Sequence, residues 1–319
     1  MTTLIKVTKR DGSLEDLDLD KIHKVVDWAS EGLDVSVSQV EINSNVQFYN
    51  GISTDEIHQT MVKAAADLIS KDTPDYQLMA ARLLIFGLRK VAYGGFVPPS
   101  LKLHAKSMVE QGLYDRSLLS YSDDDFYELD VYIDHSRDLN FSYAAVKQLE
   151  GKYLVQNRVT KQVYETPQML YMFIAMTLFM NYPKATRLAY VKKFYDAAST
   201  FKITLPTPIM SGVRTPTRQF SSCTLIECGD SLDSINATSS AIVKYISQKA
   251  GIGVNVGRIR ALGSPVRNNS VVHTGVIPFL KLFQAAVKSC SQGSIRNGSA
   301  TAFYPFWHLE VENLLVLKN

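Results

Sequence analysis

Cysteine is scarce in this 319-residue chain, which holds only Cys223, Cys228 and Cys290. Three thiols, none before position 223, exclude a secreted disulfide scaffold and suit a reducing compartment. Charge of one sign is lacking too: 34 Lys+Arg against 31 Asp+Glu leave a formal net of +3, which excludes a polybasic binder of nucleic acid. The longest apolar run, around Met169 to Met180, falls short of the ~20 residues that a membrane span needs, and the N-terminus lacks an apolar leader core. Repeats and low-complexity tracts are absent. None of the six histidines, His23, His58, His104, His135, His273 and His308, stands in an H-x-x-x-H or Cys-paired spacing, so no metal site built by this chain is expected. What is there, 46% hydrophobic and 20% charged residues, is globular and long enough for two domains. The expectation is a cytoplasmic protein with neither nucleic acid nor membrane as partner.

The opening predicts a hairpin: Ile5 and Val7, an Asp11-Gly12 turn, then Leu14 and Leu17. Asp20 is the expected cap of a helix with Ile22, Val25, Val26 and Ala29 on one face, ended by Gly32. Ser53 and Glu56 have the spacing of a capping box for a second helix through Ile57, Met61, Ala65 and Leu68. Thr73-Pro74 starts a third, with Met79, Leu83 and Phe86 inward and Arg89 and Lys90 in its last turn. Gly94-Gly95 and Pro98-Pro99 break the pattern, so a boundary is set near residue 95. Residues 96–200 read as mainly helical, with a hairpin near Tyr153 to Tyr164 and a helix opened by Thr166-Pro167. From 201 to 319, strand-like runs (Phe201 to Leu205, Thr224 to Cys228, Ile252 to Val256, Thr301 to Tyr304) alternate with helices near 232–249 and 276–289. Such alternation predicts βα units and a largely parallel sheet.

Lys9, Arg10, Lys21 and Lys90 around a glycine turn suit a triphosphate gripped by point charges and turn amides; a solvated face is the competing reading. Gly251 to Gly257 has the wrong spacing for a dinucleotide fingerprint, and its glycines suit close backbone approach instead. Cys223, at a strand start, is a candidate redox thiol or a structural cysteine; Cys228 and Cys290 read as structural. The loop 291–299 holds one arginine, Arg296, in a flexible composition, as a clamp on an anionic ligand would, or as a plain surface loop.

The runs VTKRDGS at 7–13, SYAAVKQLEGKYLVQNRV at 142–159, LPTPIMSGVRTPTRQFSSC at 205–223 and ECGDS at 227–231 resemble the large (alpha) subunit of aerobic class I ribonucleoside-diphosphate reductase. The resemblance runs along essentially the whole chain. It implies α+β and α/β architecture: a helical ATP-cone with a small hairpin at 1–95, the family's helical region at 96–200, and the first half of a ten-stranded α/β barrel at 201–319. In the cone, Lys9, Arg10, Glu15, Lys21, Thr54, His58 and Lys90 match contacts to ATP, the activator, or dATP, the inhibitor. Asp18 departs from the amide that the family carries there. Asp230, Ser231, Leu232, Arg260 and Arg267 match the specificity site for an effector deoxynucleotide, read at a dimer interface made by helices 231–249 and 276–289 of two copies. Cys223 matches one member of the redox dithiol, and Thr207, Ser222, Ala250, Gly251 and Arg296 match positions around the substrate diphosphate and base. Ser294, Asn297 and Ser299 depart from a loop that is richer in Gly and Ala in the family.

The resemblance also implies reduction of ribonucleoside diphosphates by thiyl-radical chemistry. Its other requirements are Mg2+ on the bound nucleotides, a diiron small subunit as radical source and a thioredoxin- or glutaredoxin-type dithiol reductant. Reduction ending in a disulfide needs two thiols and initiation a third, yet only Cys223 stands in suitable company here. The apolar segment Trp307 to Asn319 stops without cap or turn. The expectation is the N-terminal piece of a split subunit working with a second chain that carries the rest of the barrel, in a host cytoplasm if phage-encoded. A laboratory truncation would leave the same site assignments. The alternative is a catalytically inactive nucleotide-sensing regulator that retains the cone.

Overall fold

The computed structural model describes residues 5–45, 47–292 and 296–317. The chain forms two compact units, Met1–Leu205 with Ile209–Thr217, and Pro206–Pro208 with Arg218–Asn319.

In the first unit, β1 (Lys6–Thr8) pairs antiparallel with β2 (Leu14–Asp16), Val7 facing Glu15. The turn between them closes on Lys9 N to Ser13 O (2.8 Å) and on Gly12 at φ +84°, a left-handed conformation that glycine adopts without strain. Helix α1 (Leu19–Ser30) is capped by Asp18, two residues earlier than expected: its carboxylate accepts from the amides of Asp20 and Lys21. The α2 helix (Val37–Asn45) was not foreseen, because only Val40 and Ser44 of it are buried and its apolar period is weak. Next come β3 (Ile52–Ser53), which joins β1 in parallel, and α3 (Thr54–Asp67), whose Ser53–Glu56 capping box forms as expected. Helix α4 (Tyr76–Tyr93) begins after Thr73-Pro74, with Asp75 at its cap position. Val7, Val26, Ile52, Met61, Ala65, Met79 and Leu83 lie in one core beneath the hairpin.

The helical continuation holds α5 (Leu101–Glu110), α6 (Asp123–Tyr132), α7 (Tyr143–Gln148), α8 (Pro167–Phe179) and α9 (Lys184–Ser199). Every residue of α8 from Pro167 to Met176 is buried, which explains the apolar run there without a membrane. Among the described residues no helix is long and apolar enough to cross one. The hairpin near 153–164 is realised as a single antiparallel bridge, Gln156 with Val163. At its base Arg214 Nε donates to Glu165 Oε2 (2.9 Å); both side chains are fully buried, and Tyr114 Oη donates to the same carboxylate.

Helix α10 (Thr207–Gly212) leads into the second unit; the strand expected over Phe201 to Leu205 is absent, that stretch being turn and coil. The second unit contains β4 (Cys223–Glu227), α11 (Leu232–Ser247), β5 (Gly251–Asn255), a hairpin of β6 (Pro265–Val266) and β7 (Val271–Val272), and α12 (Ile277–Ser289). Then come β8 (Ser291–Gln292), β9 (Arg296–Asn297), β10 (Ala300–Phe303) and α13 (Val311–Leu315). β10, β5 and β4 form a parallel sheet in that order, as βα alternation predicts. Ile235, Ile242, Ile246, Val254, Phe283 and Val287 fill the core between the sheet and helices α11 and α12.

Candidate functional site

In the first unit a cleft of about 430 Å³ is lined by Lys9, Arg10, Glu15, Lys21, Thr54, His58 and Lys90, so all seven residues expected for the activity site converge. Its size falls in the range of small-molecule sites. The hairpin supplies Lys9, Arg10 and Glu15, α1 supplies Lys21, the start of α3 supplies Thr54 and His58, and the last turn of α4 supplies Lys90. Val7, Ile22, Ile57 and Phe86 make the apolar wall. Phe86, expected in the core, is instead half-buried at this wall.

The cations of the cleft are held by carboxylates. Glu15 Oε1 takes both Lys9 Nζ (3.0 Å) and Lys21 Nζ (3.4 Å), while Arg10 Nη2 lies 2.7 Å from Asp55. The Lys9 hydrogen bond, with the Lys21 charge behind it, keeps the Glu15 carboxyl below its ordinary range. Lys90 Nζ sits 4.2 Å above the Phe86 ring, and its ammonium is made more acidic by burial and then by Arg10 and Lys9. Lys9, Arg10, Lys21 and Lys90 face Asp11, Glu15 and Asp18 on the lining, a small excess of positive charge that suits an anion with several oxygens. His58 Nε2 donates to Leu83 O (2.7 Å) and its ring stacks on Phe86; burial lowers its pKa to about 4. Gly87 makes room for that ring, since a Cβ there would lie 2.7 Å from His58. Asp18 also lines the cleft, its second oxygen 3.7 Å from Lys21 Nζ.

In the second unit the sheet separates two groups of expected residues. At the amino ends of the strands Cys223 stands in register with Gly251, and Gly251 N donates to Ser222 O (2.8 Å). A Cβ on Gly251 would lie 3.8 Å from Cys223 Sγ, and Ala250 precedes it, so Ser222, Cys223, Ala250 and Gly251 are together. The Cys223 side is exposed. Ser299 O accepts from Ile252 N (3.2 Å), bringing the end of the 291–299 loop to the same edge. Thr207 is the first residue of α10, and the backbone of Arg296 and Asn297 forms β9. Ser294 lies outside the described residues.

The carboxyl ends hold the other group, about 15 Å away at ~3.3 Å per strand residue. Arg260 donates to Asp230 twice, from its backbone N (3.0 Å) and from Nε (2.7 Å), and its Nη1 donates to Pro265 O (2.8 Å). Ser231 caps α11 through the Ser234 amide, and Leu232 beside it is exposed. Arg267 occupies the turn between β6 and β7 at φ +52°. A helix start with Arg260 held beside it by Asp230 suits a phosphorylated ligand. Sequence reasoning missed Phe86 in the cleft wall, Asp55 on Arg10 and Gly87 behind the His58 ring. The spacing of Phe86 and Lys90, four apart on one helix, was the available signal.

The sequence profile of the ATP cone domain matches residues 5–91, that of the ribonucleotide reductase all-alpha domain 139–218, and that of the ribonucleotide reductase barrel domain 221–319. Among curated relatives, ribonucleoside-diphosphate reductase 1 subunit alpha of Escherichia coli is 69% identical over all of this chain and 42% of its own length. The ribonucleoside-diphosphate reductase subunit alpha of Haemophilus influenzae is 66% identical over the same shares, and that of Enterobacteria phage T4 is 54% identical over 99% of this chain and 42% of its own. The chain thus spans about 42% of the length of these relatives.

Proposed function

Because the chain belongs to the class I ribonucleoside-diphosphate reductase alpha-subunit family and matches its N-terminal part, we propose that it carries that enzyme's nucleotide control and one half of its reducing centre. ATP or dATP with Mg2+ occupies the cleft of the first unit, phosphates toward Lys9, Arg10, Lys21 and Lys90 and the base toward the apolar wall. An effector deoxynucleotide occupies the Asp230, Ser231, Leu232, Arg260 and Arg267 group, and a ribonucleoside diphosphate the edge at Thr207, Ser222, Cys223, Ala250, Gly251 and Arg296. Domain divisions at 95 and 200 go with these roles.

Strand β4 is the observation that carries this reading: one five-residue strand opens with Cys223 and runs directly into Asp230 and Ser231. Replacing the ribose 2′-hydroxyl by hydrogen takes two electrons; two thiols become a disulfide and the oxygen leaves as water. Cys223 supplies one thiol. The second thiol, the radical-bearing thiol and the missing barrel wall come from the remainder of the alpha subunit, carried on a second chain or on a longer form of this one. A diiron small subunit supplies the radical, a thioredoxin- or glutaredoxin-type protein restores the dithiol, α11 and α12 meet a second copy, and the assembly works in the cytoplasm.

The test is reduction of radiolabelled cytidine diphosphate by this chain with the small subunit and dithiothreitol, with and without a polypeptide carrying the remainder of the barrel. Turnover is expected only in the complete mixture, and none with Cys223→Ser. Turnover by the chain and small subunit alone, or an active Cys223→Ser mixture, would refute the reading.

A further inference from the structure

The segment between β5 and α12 carries Arg260 and Arg267; its own hydrogen bonds include a turn at its base, Ile259 N to Val256 O (3.1 Å), and an outer hairpin, His273 N to Ser264 O (2.8 Å). Besides Asp230, which takes the Arg260 amide, the short segment after β10 holds its base at three further points. His308 Nε2 donates to Ile259 O (2.9 Å), and Glu310 Oε2 accepts from both Leu262 N (3.0 Å) and Val276 N (2.9 Å). The Glu310 amide donates to His308 Nδ1 (3.1 Å), which fixes the tautomer with hydrogen on Nε2. These points bracket Arg260 at positions 259 and 262 and pin the far end of the segment at 276.

Two further features are built around the same carboxylate. Val276, at the cap position of α12, has no side-chain acceptor, and Glu310 supplies one where the helix dipole favours an anion. Gly275, at φ +88°, lies so close that a Cβ would be 2.5 Å from Glu310 Oε1. Glu310 is 6% exposed and His308 8%. A carboxylate buried to that degree is strongly disfavoured unless hydrogen-bonded, and the two donors it takes here are backbone amides of this one segment.

We propose that Glu310, braced by His308, is a positioning residue for the effector site: it sets the segment so that Arg260 and Arg267 meet the phosphates of a deoxynucleoside triphosphate. The inference rests on the effector-site reading given above.

The test uses the chain assembled with the rest of the alpha subunit, with dTTP and dGTP as effector probes and ATP as probe of the cone cleft. Glu310→Ala and Gly275→Ala are expected to weaken dTTP binding about tenfold, to change the dTTP-to-dGTP affinity ratio and to leave ATP binding unchanged. Glu310→Gln, which keeps an acceptor oxygen, is expected to bind dTTP within about threefold of the parent. Hydrogen exchange is expected to quicken at the Leu262 and Val276 amides in Glu310→Ala. Parental dTTP affinity and ratio in both alanine variants, or loss of ATP binding together with dTTP binding, overturns the inference. Asp230→Ala and Arg260→Ala serve as controls: if neither affects dTTP, the effector-site reading itself is what fails.

Discussion

The cone cleft and the parallel sheet both gather residues distant in the chain, in opposite ways. The cleft closes within its own unit: hairpin, α1, α3 and α4 share one core, and each cation already leans on a carboxylate or a ring. The sheet is finished on one face only. Helices α11 and α12 cover Ile252 and Val254, while on the other face Leu225 is 80% and Phe303 49% exposed, with Gly253 squeezed between them. Uncovered apolar strands at both edges need further structure over them. Local contacts thus close the cleft, whereas the described strands leave one face of the sheet open.

The comparison breaks first if the closed unit proves insensitive to its buried charges. Arg214→Ala leaves Glu165 buried without its cation and is expected to cost about 3–5 kcal/mol in urea unfolding. Acid sharpens the same contrast. His58, His104 and His135 are each lowered to about 4 by burial, so below about 6.5 the unfolded chain takes up protons that the folded unit refuses. Their contribution is expected to be lost progressively from pH 6.5 to 4, followed as a falling melting temperature. Asp138, raised to about 6 by burial, runs the other way below pH 6, as do His23, raised by its Glu41 hydrogen bond, and Asp130, raised by burial. Lys90→Ala is expected to weaken ATP binding about tenfold by calorimetry while dTTP binding holds. The smallest effect belongs to the open face: Leu225→Ser is expected within about 0.5 kcal/mol of the parent chain, yet to impair assembly with the remainder of the barrel. A large stability loss there would mean that the face is already covered.

Much of this was legible in the sequence, for physical reasons that differ by element. The Asp11-Gly12 turn, the Ser53–Glu56 box and the βα alternation are local signals, and each formed. Where a signal was weak or shared, reading failed. Asp18 and Asp20 are equally good caps on paper, α2 has almost no apolar period, and the run at Phe201 to Leu205 has strand residues but finds no neighbouring strand. Family resemblance supplied candidate site residues, but not the contacts that hold them. Asp55 on Arg10, Phe86 under Lys90 and Glu310 on Leu262 join positions far apart in the chain or hidden by an ordinary helix pattern.

Asp18 offers the backbone of α1 nothing that an asparagine would not: one oxygen, aimed at two amides. Exchange between the acid and its amide therefore leaves the architecture as it was and alters a single quantity, the electrostatic potential at the mouth of the cleft. The charge at position 18 can thus be changed without any repacking beneath it.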